Sequence, residues 1–255
     1  MKTTPSILIT AVFGLLATWP LAGKADTSFT VNNSTADSFL SGNAPTLNYG
    51  GAGTLAISSV SSPKGGFDSV LKFNLAGATS QFNSTYGVGN WQISGITLKL
   101  ASSFGTSGAV PSNNNLNTVS GGNFGITWLA GDSWLEGAGG GNGAANGAVS
   151  FNSISSLFAS GSDPLGTFTY TPPGNNVYAS YTLPLTTSLL SDTATGGDVS
   201  LYFFAADNQV SYLFNSRSFA SANPQLVVTV IPEPSTRALA ALSLGSFMWL
   251  RQRKS

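Results

Sequence analysis

The chain has 255 residues, 10 basic and 10 acidic, with no histidine, no cysteine and only 8% charged residues. Without histidine and cysteine it can build no Ser-His-Asp triad, no Cys-His pair, no disulfide framework and no zinc site of the usual ligands. Between positions 26 and 230, the four cations Lys64, Lys72, Lys99 and Arg217 stand against nine carboxylates, a net charge of −5 that argues against a nucleic-acid partner.

Residues 1–25 read as a secretory signal peptide. Lys2 supplies the positive start and residues 7–17 a short apolar run. Gly23 and Ala25 are the small residues at −3 and −1 of a cleavage site after Ala25. Such a segment is handed to the secretion translocon and removed, so the mature chain is expected to begin at Asp26.

Residues 26–230 are enough for one large domain with a real core. No long helical period is visible. Short alternating runs recur instead, separated by Gly, Asn, Ser and Pro, which is the pattern of an all-β domain. Strands are expected near residues 54–60 and 69–75, the latter with Leu71, Phe73 and Leu75 inward and Lys72 and Asn74 outward. Ile96, Leu98 and Leu100 repeat that alternation, with Thr97 and Lys99 outward. Residues 102–122 read as a surface loop, 124–130 as a strand, and the Gly-rich run 137–147 as the most flexible stretch. That run lacks the Lys-Ser/Thr ending and the strand-to-helix setting of a phosphate loop. Helical turns are expected near 152–159 and 186–190, with strands at 167–171 and 177–183. Residues 199–205 are apolar on both faces, as in a central strand. A strand at 212–216 and an alternating end at Leu226, Val228 and Val230 complete the domain. Many short strands without intervening helices favour a sandwich.

The body also resembles a known family. Ala36-Asp37-Ser38-Phe39 and Leu47-Asn48-Tyr49-Gly50-Gly51 carry the likeness, followed by residues 69–75 and 96–100. Trp134-Leu135-Glu136-Gly137, Ser216-Arg217-Ser218-Phe219 and residues 223–228 continue it. In that order they resemble the DNRLRE domains of bacterial secreted proteins. The resemblance implies an antiparallel jelly-roll β-sandwich related to carbohydrate-binding modules. Some relatives bind polysaccharides, acidic ones such as alginate among them, and others are matrix or wall proteins. A binding or structural module is therefore expected rather than an enzyme. The Gly/Asn-rich material at 102–122 and 137–147 departs from the family pattern.

The chemistry left to such a chain is limited. A glycosidase-like pair would have to use Glu136, the one Glu between positions 26 and 230, with Asp132 four residues earlier. For sugar binding the aromatic candidates are Tyr49, Trp91, Trp128, Trp134, Tyr170, Tyr178 and Tyr181, each of which would serve equally as core, with core favoured for Trp128 and Trp134. Tyr49 with the strand cations Lys72, Lys99 and Arg217 is the candidate glycan-binding set, the cations suiting an acidic polysaccharide if they share one side of the sandwich and plain solvation otherwise. No cofactor is required. A structural calcium would draw on oxygen donors such as Asp37, Asn48, Asp68 and Asp207, and the metal content is otherwise open.

The tail, residues 231–255, has three parts. Pro232-Glu233-Pro234 is a stiff, non-helical spacer. Residues 238–250 are uncharged and mostly apolar, and Arg251, Arg253 and Lys254 close the chain. This order resembles the PEP-CTERM sorting signal of Gram-negative bacteria, which implies recognition and cleavage near the Pro-Glu-Pro motif by an exosortase-type membrane protease. Arg237 is a departure, because it shortens the apolar run. A helix over 238–250 would be about 20 Å long at ~1.5 Å per residue, against a hydrocarbon core of about 30 Å. That length suits a transient inner-membrane anchor, with the basic end held in the cytoplasm. The alternative is an amphipathic helix of the globular body. Together the ends predict an exported protein of the cell surface, outer membrane or extracellular matrix, with a non-catalytic structural or adhesive body. A carbohydrate-binding module for an exopolysaccharide and a polysaccharide-degrading enzyme are the alternatives.

Overall fold

The computed structural model describes residues 25–102, 122–140, 142–143, 148–171 and 176–233. The expected signal peptide before Ala25, the loop 103–121, Pro234, the expected helix 238–250 and the basic end Arg251, Arg253 and Lys254 lie outside the described residues. Among the described residues no helix is long and apolar enough to cross a membrane.

The chain starts with β1 (Thr27–Val31), β2 (Ala36–Ser41) and the two-residue β3 (Leu47–Asn48), then β4 (Thr54–Ser58) and β5 (Phe67–Asn74). Helix α1 (Ala76–Tyr86) leads into β6 (Trp91–Ala101), β7 (Gly122–Leu129) and the short β8 (Asn142–Gly143). A 3-10 turn at Phe151–Ser153 runs into α2 (Ile154–Ala159). Next come β9 (Ser162–Tyr170), β10 (Tyr178–Leu183), α3 (Thr187–Thr195), β11 (Asp198–Ala205), β12 (Ser211–Asn215) and β13 (Gln225–Pro232).

Eleven of these strands form two antiparallel sheets, and β3 pairs with β8 in a separate two-stranded one. The smaller of the two main sheets has the order β1-β13-β6-β10 and the larger β12-β4-β5-β11-β7-β9, with β2 also beside β5. Alternation decides which side chains meet between them. Leu71 and Phe73 from β5, Leu201 and Phe203 from β11, Phe124 and Ile126 from β7, and Phe214 from β12 pack against Ile96, Leu98, Leu100, Tyr181, Leu226 and Val228 of the smaller sheet. The expected alternations at 71–75 and 96–100 are therefore observed. Phe124 meets Tyr181 edge-on at 5.1 Å between ring centres. The all-β, antiparallel, two-sheet reading of the body holds. Trp134 is buried, and Trp128 and Tyr170 also pack in or against the core.

Pro164 tests this sheet assignment. It lies within β9, an edge strand, where the register with β7 slips between Ile126 and Thr127. A proline without an N–H is tolerated at such an edge bulge.

Three expectations need correction. First, α1 is a helix of 11 residues where no helical period was read. Its sequence, AGATSQFNSTY, is poor in strong helix formers. Its buried stripe is only Ala78, Phe82 and Tyr86, at i, i+4 and i+8. Phe82 packs against Phe29 and Trp91, so tertiary burial and not propensity holds the helix. Likewise α3 continues to Thr195, ended by Gly196 in the left-handed conformation at φ 75°. Second, the Gly-rich run is pinned where it is described. Gly51 N–H donates to the Gly139 carbonyl at 2.8 Å, and β8 pairs with β3. Third, Lys72 is not solvated: it is 9% exposed, under a second layer of structure.

That layer covers part of the outer face of the larger sheet. Ala36, Leu40, Val70, Leu129, Trp134, Val149 and Leu157 form a second apolar cluster, flanked by Phe151, Ile154, Phe158 and Tyr202. Polar groups fasten it. Lys72 Nζ donates to the carbonyls of Asp132 at 2.7 Å and Trp134 at 3.0 Å, and sits 4.8 Å from the Trp134 ring centre. Trp134 Nε1 donates to Ser200 Oγ, whose hydroxyl donates to Asp132 Oδ1 at 2.5 Å. Asn48, 2% exposed, donates to the carbonyls of Glu136 and Val149, and its Oδ1 accepts from Gly50 and Gly139 N–H.

Replacing Lys72 by Met keeps most of the volume and leaves two carbonyls without their donor, so it is expected to cost about 2–4 kcal/mol. Thermal unfolding checks this: Lys72→Met lowers Tm by about 5–10 °C, whereas Lys99→Met on the other sheet shifts it by about 2 °C at most.

Candidate functional site

Strand β11 supplies the floor of an open cleft. Leu201 and Phe203 point into the core, so Tyr202 and Phe204 point out of the larger sheet. The second layer stops at Tyr202, where Phe158 meets the ring edge-on at 5.1 Å. Beyond it Phe204 stacks alongside Tyr202, with ring centres 5.8 Å apart and planes 20° apart. Gly125 is the cross-strand partner of Phe204, and a Cβ there would run into the Phe204 ring. The glycine therefore lets the phenyl ring lie over the neighbouring strand.

The cleft has a volume of about 820 Å³. Sheet residues Asp68, Thr127, Tyr202 and Phe204 line it from below, and Asn43, Val60, Phe151, Phe158, Asp207 and Asn208 border it from loops and α2. Val60 is 85% exposed, an apolar side chain left standing at the rim. Tyr202 Oη donates to Asp68 Oδ2 at 2.5 Å. Burial pushes the Asp68 carboxyl up to about 6, only partly offset by that hydrogen bond. Tyr202 is pushed far above its ordinary value by burial and by the Asp68 charge. Asp207 accepts from the N–H groups of Asn123 and Gln209, both at 2.8 Å, and Asn208 Oδ1 accepts from Ser59 Oγ.

The residues singled out in the sequence lie elsewhere and apart. Tyr49 stacks on Phe39 at 4.2 Å between ring centres. Lys72 is the buried fastener of the second layer. Lys99 sits on β6 of the smaller sheet, opposite Ser180 and Gln225. Arg217 follows β12 and pairs with Glu136, its Nη2 2.7 Å from Oε2 and its Nε donating to both carboxylate oxygens. Glu136 Oε1 also accepts from Asp37 N–H. The Glu136 carboxylate is thus held by the guanidinium, and its candidate partner Asp132 accepts from Ser200. Tyr170 and Tyr181 are core. Tyr178 Oη donates to the Asn223 carbonyl and Trp91 Nε1 to Asn83 Oδ1.

Of the four oxygen donors considered for calcium, Asp68 and Asp207 line the cleft, while Asp37 and Asn48 belong to the contacts that fasten the outer layer. Among the described residues no three acidic side chains gather to hold a metal ion. At the C-terminal boundary, Pro232 is still part of β13, opposite Trp91, and Glu233 N–H donates to the Asn90 carbonyl at 2.9 Å. The strand thus runs two residues past Val230, into the Pro-Glu-Pro motif. At the other end the Ala25 carbonyl accepts from Tyr86 Oη.

Tyr202 and Phe204 were absent from the sequence candidates. Their signal was the aromatic character of 199–205 on both faces, which on a sheet whose outer face is only partly covered marks an aromatic floor.

No family model matches the chain, and no curated protein matches it.

Asp37 is 1% exposed; Ser34 and the Arg217 N–H both donate to its Oδ2, while its Oδ1 has no partner. Burial is the main cause that pushes its carboxyl from 3.8 up to about 7. A folded-state value above the unfolded one means that the fold holds a proton the unfolded chain has released. The resulting stabilisation is complete below about pH 4 and is lost as pH rises through 7. Tm is therefore expected to be higher at pH 5 than at pH 8 by about 5 °C or more. Asp37→Asn should flatten much of that slope, as differential scanning fluorimetry across the range would show.

Proposed function

We propose that this protein is an exported, non-catalytic β-sandwich of the cell surface or extracellular matrix that holds a polysaccharide chain in the cleft above Tyr202 and Phe204. The stacked Tyr202–Phe204 pair at the bottom of an open cleft is the observation that carries this reading. Aromatic faces beside carboxylate, amide and hydroxyl groups suit a ligand with apolar faces and polar edges, which is the character of a sugar ring. The binding role rests on the groove, and the jelly-roll likeness of the body is consistent with it. Asp37, Asp68, Asp132, Glu136 and Asp207 are engaged in structural contacts, which favours holding over hydrolysis.

Delivery is the second half of the proposal. The signal-like start, the Pro-Glu-Pro motif and the apolar, basic-ended tail suit passage through the translocon. An exosortase-type protease would then act on the tail while it is held in the inner membrane. Two measurements test the halves separately. Intact mass of the protein recovered from the cell surface should correspond to loss of residues 1–25 and of the tail beyond the motif; an unprocessed chain would refute the sorting half. The full chain should co-sediment with the exopolysaccharide of cells that make it, without releasing reducing ends. Phe204→Ala and Gly125→Ala should each weaken that association at least tenfold, the second by displacing the Phe204 ring. Release of reducing ends would favour a hydrolase instead.

A further inference from the structure

We infer that the cleft takes a neutral glycan and rejects acidic ones; this rests on the reading of the cleft as a polysaccharide site. None of the body's four cations lines the cleft. Lys72 is buried against two carbonyls, Arg217 is spent on Glu136, and Lys99 stands on the opposite sheet. Lys64 lies in the rim turn between Val60 and Gly66, its carbonyl accepting from Asn43, outside the lining. Among the described residues the cleft lining holds no Lys or Arg and carries two carboxylates, Asp68 and Asp207, one on the sheet and one on the turn after β11.

Both carboxylates are fixed by contacts that keep them in place. Asp207 is gripped by two backbone N–H groups, and Asp68 by the Tyr202 hydroxyl. A uronate or sulfate group seated on the floor would meet like charge with no Lys or Arg in the lining beside it, in a partly desolvated site where such repulsion is screened poorly. A hydroxyl-only sugar meets acceptors for its O–H groups on the carboxylates, and donors and further acceptors on the amides and hydroxyls of Asn43, Asn208 and Ser59. Its apolar ring face can lie on the Tyr202–Phe204 floor. A peptide strand is a poorer occupant: β11 is flanked by β5 and β7 and offers no free edge for backbone pairing.

Affinity gel electrophoresis of the full chain in mild detergent tests this with defined probes. The neutral gels contain hydroxyethyl cellulose, mixed-linkage β-glucan, galactomannan or starch. The acidic gels contain carboxymethyl cellulose, alginate or polygalacturonate. Retardation is expected on at least one neutral gel and on no acidic gel, and Tyr202→Ala and Phe204→Ala should each reduce it at least tenfold. If Tyr202→Ala loses its unfolding transition, Phe204→Ala at the open end of the floor decides alone. Stronger retardation by an acidic polysaccharide overturns the neutral assignment and leaves the polysaccharide reading standing. Retardation that Phe204→Ala does not change overturns the cleft as the site. Retardation by none of the probes overturns the polysaccharide reading and this inference with it.

Discussion

Strand β11 needs cover on both sides. Val199, Leu201 and Phe203 face the inter-sheet core, while Ser200, Tyr202 and Phe204 project from the other face of the same strand. Leaving that outer face in water would forfeit the burial of Val70, Leu129 and Trp134 as well. The chain answers with a third layer made from the loops after β7 and the α2 turn. That layer is not a sheet or a long helix, so it cannot satisfy its own backbone. Its carbonyls must be met by side chains from below, and Lys72 and Asn48 meet four of them.

This explains why charged and polar residues lie so deep in a chain with few of them. Lys72, Asp37, Asn48 and Glu136 are committed to holding the outer layer on the sheet. Asp37 takes an N–H from the segment after β12 and gives its own to Glu136, while Glu136 holds Arg217. Loops far apart in sequence are tied at one place. The cost is desolvation of carboxyls: Asp37 is buried, Asp68 and Asp132 are half-buried, and burial pushes all of them upward. The layer ends at Phe158 and Tyr202. Beyond that line the face is open over Phe204, and the cleft is an uncovered part of the outer face of the larger sheet.

Much of the two-sheet body was legible from period-2 patterns, because the core-facing positions of β5 and β13, and those of β6 from Ile96 onward, alternate. The outer layer was not legible. It is held by single polar side chains, and one strand-borne lysine looks the same in sequence whether it faces water or two carbonyls. The run at 137–139 reads as slack for the same reason: Asn48, 91 residues before Gly139, is what fixes it. Helix α1 escaped notice because three buried residues in eleven leave little periodic signal. For the cleft, the aromatic pair was visible as a composition of 199–205. That Phe204 lay uncovered depended on where the loops stop, which no local pattern records.

The proposed function makes the uncovered part of the outer face, where Tyr202 and Phe204 are half-buried, the working surface of the domain. Hydrogen–deuterium exchange of the full chain with and without a retarding polysaccharide tests it most directly. The account predicts slower exchange in the peptides covering residues 58–68 and 202–209, with those covering β6 and β10 unchanged. Protection centred on β6 and β10, with 202–209 unaffected, would contradict it.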